Sequence, residues 1–409
     1  MTRARLAFGP ALLVLGIALA APEIVLVGLL ALLAVGVAGL WSHFGLRGLR
    51  YERTIGRERT VWGEDIPLDL AIRNNKPLPV PWVSVDDAVS RGVIVRDEPL
   101  TTNSMTGLVT LRSRWMVGWY ERVVRHLAIV ADHRGVYSFG PAKVTVADLF
   151  GHGGATADFE DRGAYIVRPR TLPVRLAGQN RAPAGDLRAR HSLFEDPALF
   201  AGVRPYHPGD PIRRVHWRAT ARTGVVVCKR FDPSRLQNIL IALDVQVGSG
   251  FVWVNDEELV ESLIVAASSL ARHSLLEGAS CGLAAVSLSK ARDGFAMVPP
   301  RAGRDQLGVI ADVLARLSVN PSAPFEHLLV RIPQTVAVGT TIVVVTARDP
   351  EPYVAALRRL DRWGYPVQVV GLGPNSQAAV ARARSYGFST MSGSLTPDWR
   401  TSDALVLAS

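Results

Sequence analysis

Asp196 to Arg235 reads DPALFAGVRPYHPGDPIRRVHWRATARTGVVVCKRFDPSR, and the rest of the chain is best organised around this stretch. It opens with an apolar turn expected to be helical (Leu199, Phe200), followed by a turn at Pro208-Gly209-Asp210. Asp210 before Pro211 has the form of a helix start: a side-chain oxygen at the N-cap, then a proline whose fixed φ suits the first helical turn. Gly224 is placed to end that helix in the left-handed conformation. Between them Arg214, Arg218 and Arg222 recur every four residues, which predicts one basic stripe. Ile212, Val215 and Ala219 would hold the opposite side down. Val225 and Val227 then predict a strand running into Lys229 and Arg230. A second, very apolar strand follows from Ile239 to Asp244.

The spacing of Arg204, Tyr206, Pro208-Gly209-Asp210, Arg213, Arg214, Trp217, Ala221-Arg222, Gly224 and Phe231, followed by Leu240-Ile241-Ala242-Leu243-Asp244, resembles the signature of the bacterial family catalogued as domain of unknown function 58. The resemblance implies two membrane helices, a β-rich piece and a von Willebrand A-like α/β region. It also implies a MoxR-type AAA ATPase as partner, and it brings no established reaction. The fold class expected is therefore multi-domain, membrane-anchored α/β. The segments are a transmembrane hairpin (1–45), a β-sandwich-like domain (50–170), a basic linker (171–195), the signature segment (196–235), a degenerate von Willebrand A-like doubly wound domain (236–391) and a loose tail (392–409).

The 409 residues carry a net charge of +10, and 162–235 holds fifteen Arg or Lys against five Asp or Glu, so this one segment accounts for the whole excess. Only four of the 46 basic residues are Lys, so Arg is the common cation throughout this chain and clusters of it signify less. Cys228 and Cys281 are too few for a disulfide framework and lack zinc-ligand spacing, so both are expected as small buried apolar side chains.

Leu6 to Ala21 is apolar, Pro22-Glu23 interrupts it, and Ile24 to Leu40 resumes it up to Trp41. Residues 6–44 thus read as two membrane helices rather than a signal peptide. Arg3 and Arg5 before the pair, with Arg47, Arg50 and Arg53 after it, place both ends in the cytoplasm by the positive-inside rule. The expected localisation is the inner membrane, with the folded domains cytoplasmic. From Tyr51 to Arg170 the apolar period is two (Ile66, Leu68, Leu70, Ile72), with a turn at Asn74-Asn75-Lys76-Pro77. Trp82, Trp115 and Trp119 are expected to fill the core or edges of this β domain. After Asp244, helices expected at 257–276, 305–317 and 352–363 alternate with strands at 281–288, 342–346 and 367–370, the pattern of a largely parallel doubly wound sheet.

No Walker A loop, Gly-x-Ser-x-Gly elbow, His-Glu-x-x-His or Gly-x-Gly-x-x-Gly after a strand is present, so the expectation is a non-enzymatic scaffold without a cofactor. A metal-binding von Willebrand A strand ends in Asp-x-Ser-x-Ser, with hard oxygen ligands. Here Asp244 is followed by Gln246 and Gly248, leaving Asp244 a weak metal candidate whose plainer role is to cap a loop or the helix after it. His207 and His216 lack a third ligand at a recognisable spacing. The expected partner-binding residues are Arg204, Tyr206, Asp210, Arg213, Arg214, Trp217, Arg218 and Arg222. The stripe needs acidic counterparts, which are internal carboxylates, an acidic partner protein or phosphates; the docking reading takes the partner protein. The alternatives are a metal-dependent von Willebrand A-type binder using Asp244, and a binder of anionic lipid or nucleic acid through the Arg helix, nucleic acid being unlikely for a membrane-tethered segment without a nucleic-acid motif.

Overall fold

The computed structural model describes residues 2–19, 21–102, 107–147, 154–177, 200–206, 215–231, 237–247, 256–286, 294–318, 323–395 and 398–408. They form two compact units, Met1–Val167 and Arg168–Ser409.

The first unit begins with α1 (Thr2–Ala18) and α2 (Pro22–Phe44), packed against each other. Glycines set their close approach. A Cβ on Gly16 would lie 2.7 Å from the Val25 backbone nitrogen, and one on Gly28 2.8 Å from that of Leu13. Among the described side chains, Val14, Ile17, Leu26, Val27, Leu29 and Leu33 are all exposed.

A β-sandwich follows. One sheet is ordered β1 (Leu49–Ile55), β3 (Asp65–Asn74), β8 (Arg122–Val130), β5 (Ile94–Val95). The other is ordered β2 (Arg59–Val61), β11 (Gly163–Arg168), β9 (Gly135–Ala147), β4 (Val80–Val89), β7 (Val109–Val117), β6 (Leu100–Thr102), with β10 (Gly154–Phe159) also on β9. The period of two does its expected work: Ile66, Leu68, Leu70 and Ile72 are all fully buried on one face of β3. Of the three tryptophans expected to fill the core or edges, Trp115 is buried in the core, while Trp82 and Trp119 are exposed.

Arg53 departs from expectation. Read from sequence as a cation flanking the membrane, it lies on β1 with its side chain 1% exposed and ion-paired at 2.6 Å to Asp87 of β4 in the opposite sheet. It faces inward because the alternation of β1 buries Leu49, Tyr51 and Arg53 together. Tyr51 Oη donates to the same carboxylate at 2.9 Å, and Arg53 Nη2 donates to the carbonyl of Asp161.

The second unit is one mixed sheet between helical layers. Its strand order is β12 (Val174–Leu176), β21 (Leu405–Ala408), β20 (Ser389–Ser394), β19 (Val367–Gly371), β18 (Thr341–Thr346), β15 (Asn238–Leu243), β16 (Ser280–Val286), β17 (Phe295–Arg301). Strands β16, β15, β18, β19 and β20 run parallel; β17 and β21 are antiparallel to their neighbours β16 and β20. In β15, Ile239, Ile241 and Leu243 pack with α4 (Glu257–Leu276) and α5 (Arg304–Arg316). Leu240 and Ala242 face α6 (Phe325–Arg331) and α7 (Val354–Arg362) on the other side. A strand buried on both faces must be apolar at every position, which is why it reads as a continuous run. Helix α4 is long and apolar enough to cross a membrane by length and composition, but it is mostly buried as a core helix. Its N-cap is Asp256, whose side chain accepts from Leu259 N at 3.0 Å.

Two expectations are corrected at the sheet edge. The tail expected to be loose from 392 onward instead supplies the end of β20 and all of β21, with Trp399, Leu405 and Leu407 buried. Leu405 and Leu407 alternate inward, a pattern too short to stand out in a polar stretch. Within the expected linker 171–195, Val174–Leu176 is β12, paired in parallel with β21.

Candidate functional site

The signature segment forms a two-stranded ribbon and a short helix. Strand β13 (Phe200–Pro205) pairs antiparallel with β14 (Val227–Phe231), and α3 (Trp217–Thr223) leads into the second strand. Phe200, expected in a helical turn, therefore opens a strand; Leu199 lies outside the described residues.

The helix is shorter than its sequence signals. His216 is its N-cap, with Nδ1 accepting from Ala219 N at 3.1 Å. Val215, expected on the helix's apolar stripe, is extended instead: it bridges to Cys228 and is buried. A β-branched residue beside the open edge of a ribbon pairs with it, and His216 N donates to Val227 O at 2.8 Å to continue that pairing. The helix ends as expected, with Gly224 at φ 69° and its N–H donating to Thr220 O. Both cysteines are free and buried, and burial pushes the Cys281 thiol up to about 12.

Of the expected partner-binding residues, Arg204, Tyr206, Trp217, Arg218 and Arg222 are brought together on this ribbon and helix. Asp210, Arg213 and Arg214 lie outside the described residues. Trp217 is 65% exposed, and Arg218 and Arg222 are exposed one turn apart. No residue of α3 is buried. Among the described residues neither Arg218 nor Arg222 has a carboxylate within ion-pair distance, although Arg204 donates to the carbonyl of Pro205.

A second constellation lies where the strand order reverses. β15 leads through α4 to β16 on one side, while β18 lies on the other; in open α/β sheets this switch point, at the carboxyl ends of the strands, is the usual ligand crevice. Asp244 sits there, fully buried. Its Oδ1 accepts from Gln246 N at 3.1 Å, so it caps the loop that follows, as the plainer sequence reading had it. Its Oδ2 accepts from Thr346 Oγ1 at 3.1 Å and from Arg348 Nε at 2.7 Å. Tyr353 Oη donates to Thr346 Oγ1, and its ring lies 5.0 Å from the Arg348 guanidinium carbon. Burial pushes the Asp244 carboxyl above its ordinary range, and Arg348 pulls it back.

This donor set does not fit a divalent cation. The guanidinium of Arg348 holds the face of Asp244 where a hard cation would bind. The Gln246 amide is spent on Ala323 O and Phe325 N, and Gly248 lies outside the described residues. Among the described residues Arg348 Nη2 has no hydrogen-bond partner, and Glu326 lies 3.7 Å from it. Thr346, Arg348 and Tyr353 escaped the sequence reading because nothing local marks them; Arg348 is 104 residues from Asp244.

Residues 202–342, which contain α3, β14, β15 and Asp244, match the family described as protein of unknown function DUF58. This stretch is a DUF58 family domain. The chain is also a distant homologue of the uncharacterized protein YeaD of Bacillus subtilis strain 168, 26% identical over 261 residues, covering 62% of this chain and 60% of that protein. The chain thus spans about three fifths of the length of this curated relative. Among solved structures, the CARDB domain of a Pyrococcus furiosus protein is 14% identical, covering 29% of this chain and 91% of its own at a TM-score of 0.19. A cohesin module from a Clostridium perfringens family 33 glycoside hydrolase is 12% identical, covering 29% of this chain and 96% of its own at a TM-score of 0.20.

Proposed function

We propose that this chain is a non-enzymatic scaffold or adaptor, anchored in the inner membrane by α1 and α2, that docks an acidic partner protein on its DUF58 domain. The observation that carries the reading is the pair Arg218 and Arg222 on a helix with no buried face and, among the described residues, no internal carboxylate to hold them. Two guanidinium groups one turn apart repel each other by a few tenths of a kcal/mol, and an acidic partner relieves that repulsion. Exposed Trp217 beside them offers an aromatic face for packing. The family resemblance supplies the partner class, a MoxR-type AAA ATPase. The strand order β17-β16-β15-β18-β19-β20, with β17 antiparallel, supports a degenerate von Willebrand A-like domain. Against the alternative of a metal-dependent binder stands Arg348 in the cation's place.

The test is binding of the full chain, in detergent or nanodiscs, to the MoxR-type ATPase of the same organism. Arg218→Gln with Arg222→Gln should weaken binding at least tenfold and remove most of its salt dependence, since each charge-assisted contact contributes roughly 1.5–3 kcal/mol. The melting temperature should stay put, because Gln and Arg have nearly equal helix propensity. Unchanged affinity would sink this docking face; a large fall in melting temperature would assign the arginines to internal pairing.

For the membrane anchor, the support is a run of exposed apolar side chains between Glu23 and His43 of α2, and from Val14 of α1 to Leu19 just past its end, around a glycine-lined interface of the kind close-packed membrane helices use. At 23 residues α2 is about 35 Å long, enough to cross a hydrocarbon core, whereas α1 has 17 residues. With Arg53 buried in the sandwich, the flanking cations that orient the pair are Arg3, Arg5, Arg47 and Arg50. A fluorescent protein that matures only in the cytoplasm, fused after Ser409, should light up. A dark fusion paired with an active periplasmic phosphatase fusion would overturn the topology and remove any cytoplasmic partner.

A further inference from the structure

We propose that the end of the β-sandwich next to α2 is itself a membrane-contacting surface, seated in the lipid headgroup layer through Trp119, Tyr120, Met116 and Trp82. The inference rests on the hairpin reading above and adds a second point of attachment to it.

The register defines which end this is. α2 runs into β1 through residues 45–48, and Leu49 at the start of β1 pairs with Asn74 at the end of β3. The loop after β3 (75–79) and the turn after β7 (118–121) therefore emerge at the end from which α2 leaves, since Val80 pairs with Val117 and Arg73 with Arg122. They also reach back along the helix: Trp41 Nε1 donates to Pro79 O at 2.8 Å, one turn before the end of α2. Lys76 Nζ donates to the carbonyls of Gly45 and Arg47 at 2.5 and 2.8 Å. An indole at the polar end of a membrane helix marks the interface, so these loops lie at interfacial depth.

What they present there is apolar and held in place. Trp119, Tyr120 and Met116 are each at least 70% exposed, and Trp82 is 54% exposed beside the β4–β7 irregularity. Burial of these side chains in water-free surroundings would be favourable, yet the fold turns them outward. The turn is not loose. Fully buried Asn74 donates from Nδ2 to Leu78 O at 2.9 Å and to Gly118 O at 2.6 Å, while its N–H donates to Glu121 O. Tyr120 N donates to Lys76 O, and Tyr120 takes φ 50°, a left-handed conformation costly for a bulky residue. Gly118 N donates to Glu121 Oε2, which engages that carboxylate at the tip. Arg50, Arg73 and Arg122 lie in a row across β1, β3 and β8 at this end, with Arg47 just before β1, all exposed; Arg122 has Glu52 at 3.8 Å. Exposed Trp and Tyr at the same end as a row of arginines suit an anionic headgroup layer, where aromatic rings sit at the boundary and cations gain from the surface potential.

The experiment places a nitroxide on the full chain reconstituted in phosphatidylcholine and phosphatidylglycerol vesicles, one label at a time, at Trp119→Cys, Ile94→Cys or Leu29→Cys. Both native cysteines are buried, so the label goes to the introduced thiol. Ile94 is exposed at the opposite end of the same domain, and Leu29 is exposed about two turns in from the start of α2, within its apolar run. The ratio of oxygen to nickel-chelate collisions should rank Leu29 highest, Trp119 several-fold above Ile94, and Ile94 as in water. A Trp119 label as nickel-accessible as Ile94, with Leu29 in lipid, overturns the headgroup contact and leaves the hairpin standing. A Trp119 label shielded from both reagents means protein covers the tip, which also overturns it. A Leu29 label in water defeats the hairpin reading and the contact with it.

Discussion

Replacing Arg348 with methionine is expected to cost the second unit about 3–5 kcal/mol of stability, the range found when one partner of a buried ion pair is removed. Asp244 has no access to solvent, and its remaining donors, Thr346 Oγ1 and Gln246 N, do not neutralise its charge. The loss should depend on pH. Burial raises the Asp244 carboxyl and Arg348 is the strongest influence lowering it, so without Arg348 the upward push is opposed by the Gln246 and Thr346 hydrogen bonds alone. A carboxyl raised above its unfolded value holds its proton more tightly when folded. The variant is therefore least impaired below the ordinary carboxylate range and loses stability as pH rises through the folded value. Urea denaturation at pH 5 and pH 8 should show the larger deficit at pH 8. Adding Asp244→Asn should restore much of the stability at pH 8, since a neutral amide needs no cation. Equal deficits at both pH values, or no rescue, would show that Asp244 is not the residue left stranded. Isothermal titration of the unaltered chain should detect no Mg²⁺ or Mn²⁺ binding tighter than millimolar; a micromolar site abolished by Asp244→Ala would overturn the assignment of Arg348 to the cation's place.

Arg53→Met should destabilise the β-sandwich by a similar amount, about 3–5 kcal/mol. The pair it breaks joins the two sheets, with both side chains 1% exposed, and it also removes the donor to the Asp161 carbonyl. Among the described residues Asp87 would keep only the Tyr51 hydroxyl. Burial already pushes the Asp87 carboxyl up, opposed by Arg53, so the same sign applies and the deficit should grow from acidic to neutral pH. Because the chain has two units, one melting temperature would mix two events. Hydrogen exchange resolves them: amides of β1, β3, β4 and β9 should lose protection, and those of β15 and β18 should keep it. Protection lost equally in both units would mean that the pair stabilises more than its own domain.

The elements legible in the sequence are those whose physics is local. Ile66 to Ile72 alternate because a strand sends successive side chains to opposite faces, and Asn238–Leu243 is apolar throughout because helices cover both of its faces. Gly224 ends α3 because the left-handed conformation carries no Cβ penalty there. Glu257–Leu276 announces itself by its periodic apolar face and acidic first turn. The signature spacing, likewise local, led to the family whose domain covers 202–342. What the tertiary structure decided are outcomes that depend on residues distant in sequence. Arg53 reads as a surface cation until Asp87, from the opposite sheet, is placed against it. Asp244 reads as a damaged metal ligand until β18 brings Arg348 across 104 residues to neutralise it. Val215 left the helical stripe because ribbon pairing with Cys228 competes with helix propensity and wins. Trp119 reads as a residue of the core or an edge until Asn74 fixes its turn outward at the foot of α2. Composition and period specify which face of a local element is apolar; only the assembled chain specifies what that face, or the charge upon it, will meet.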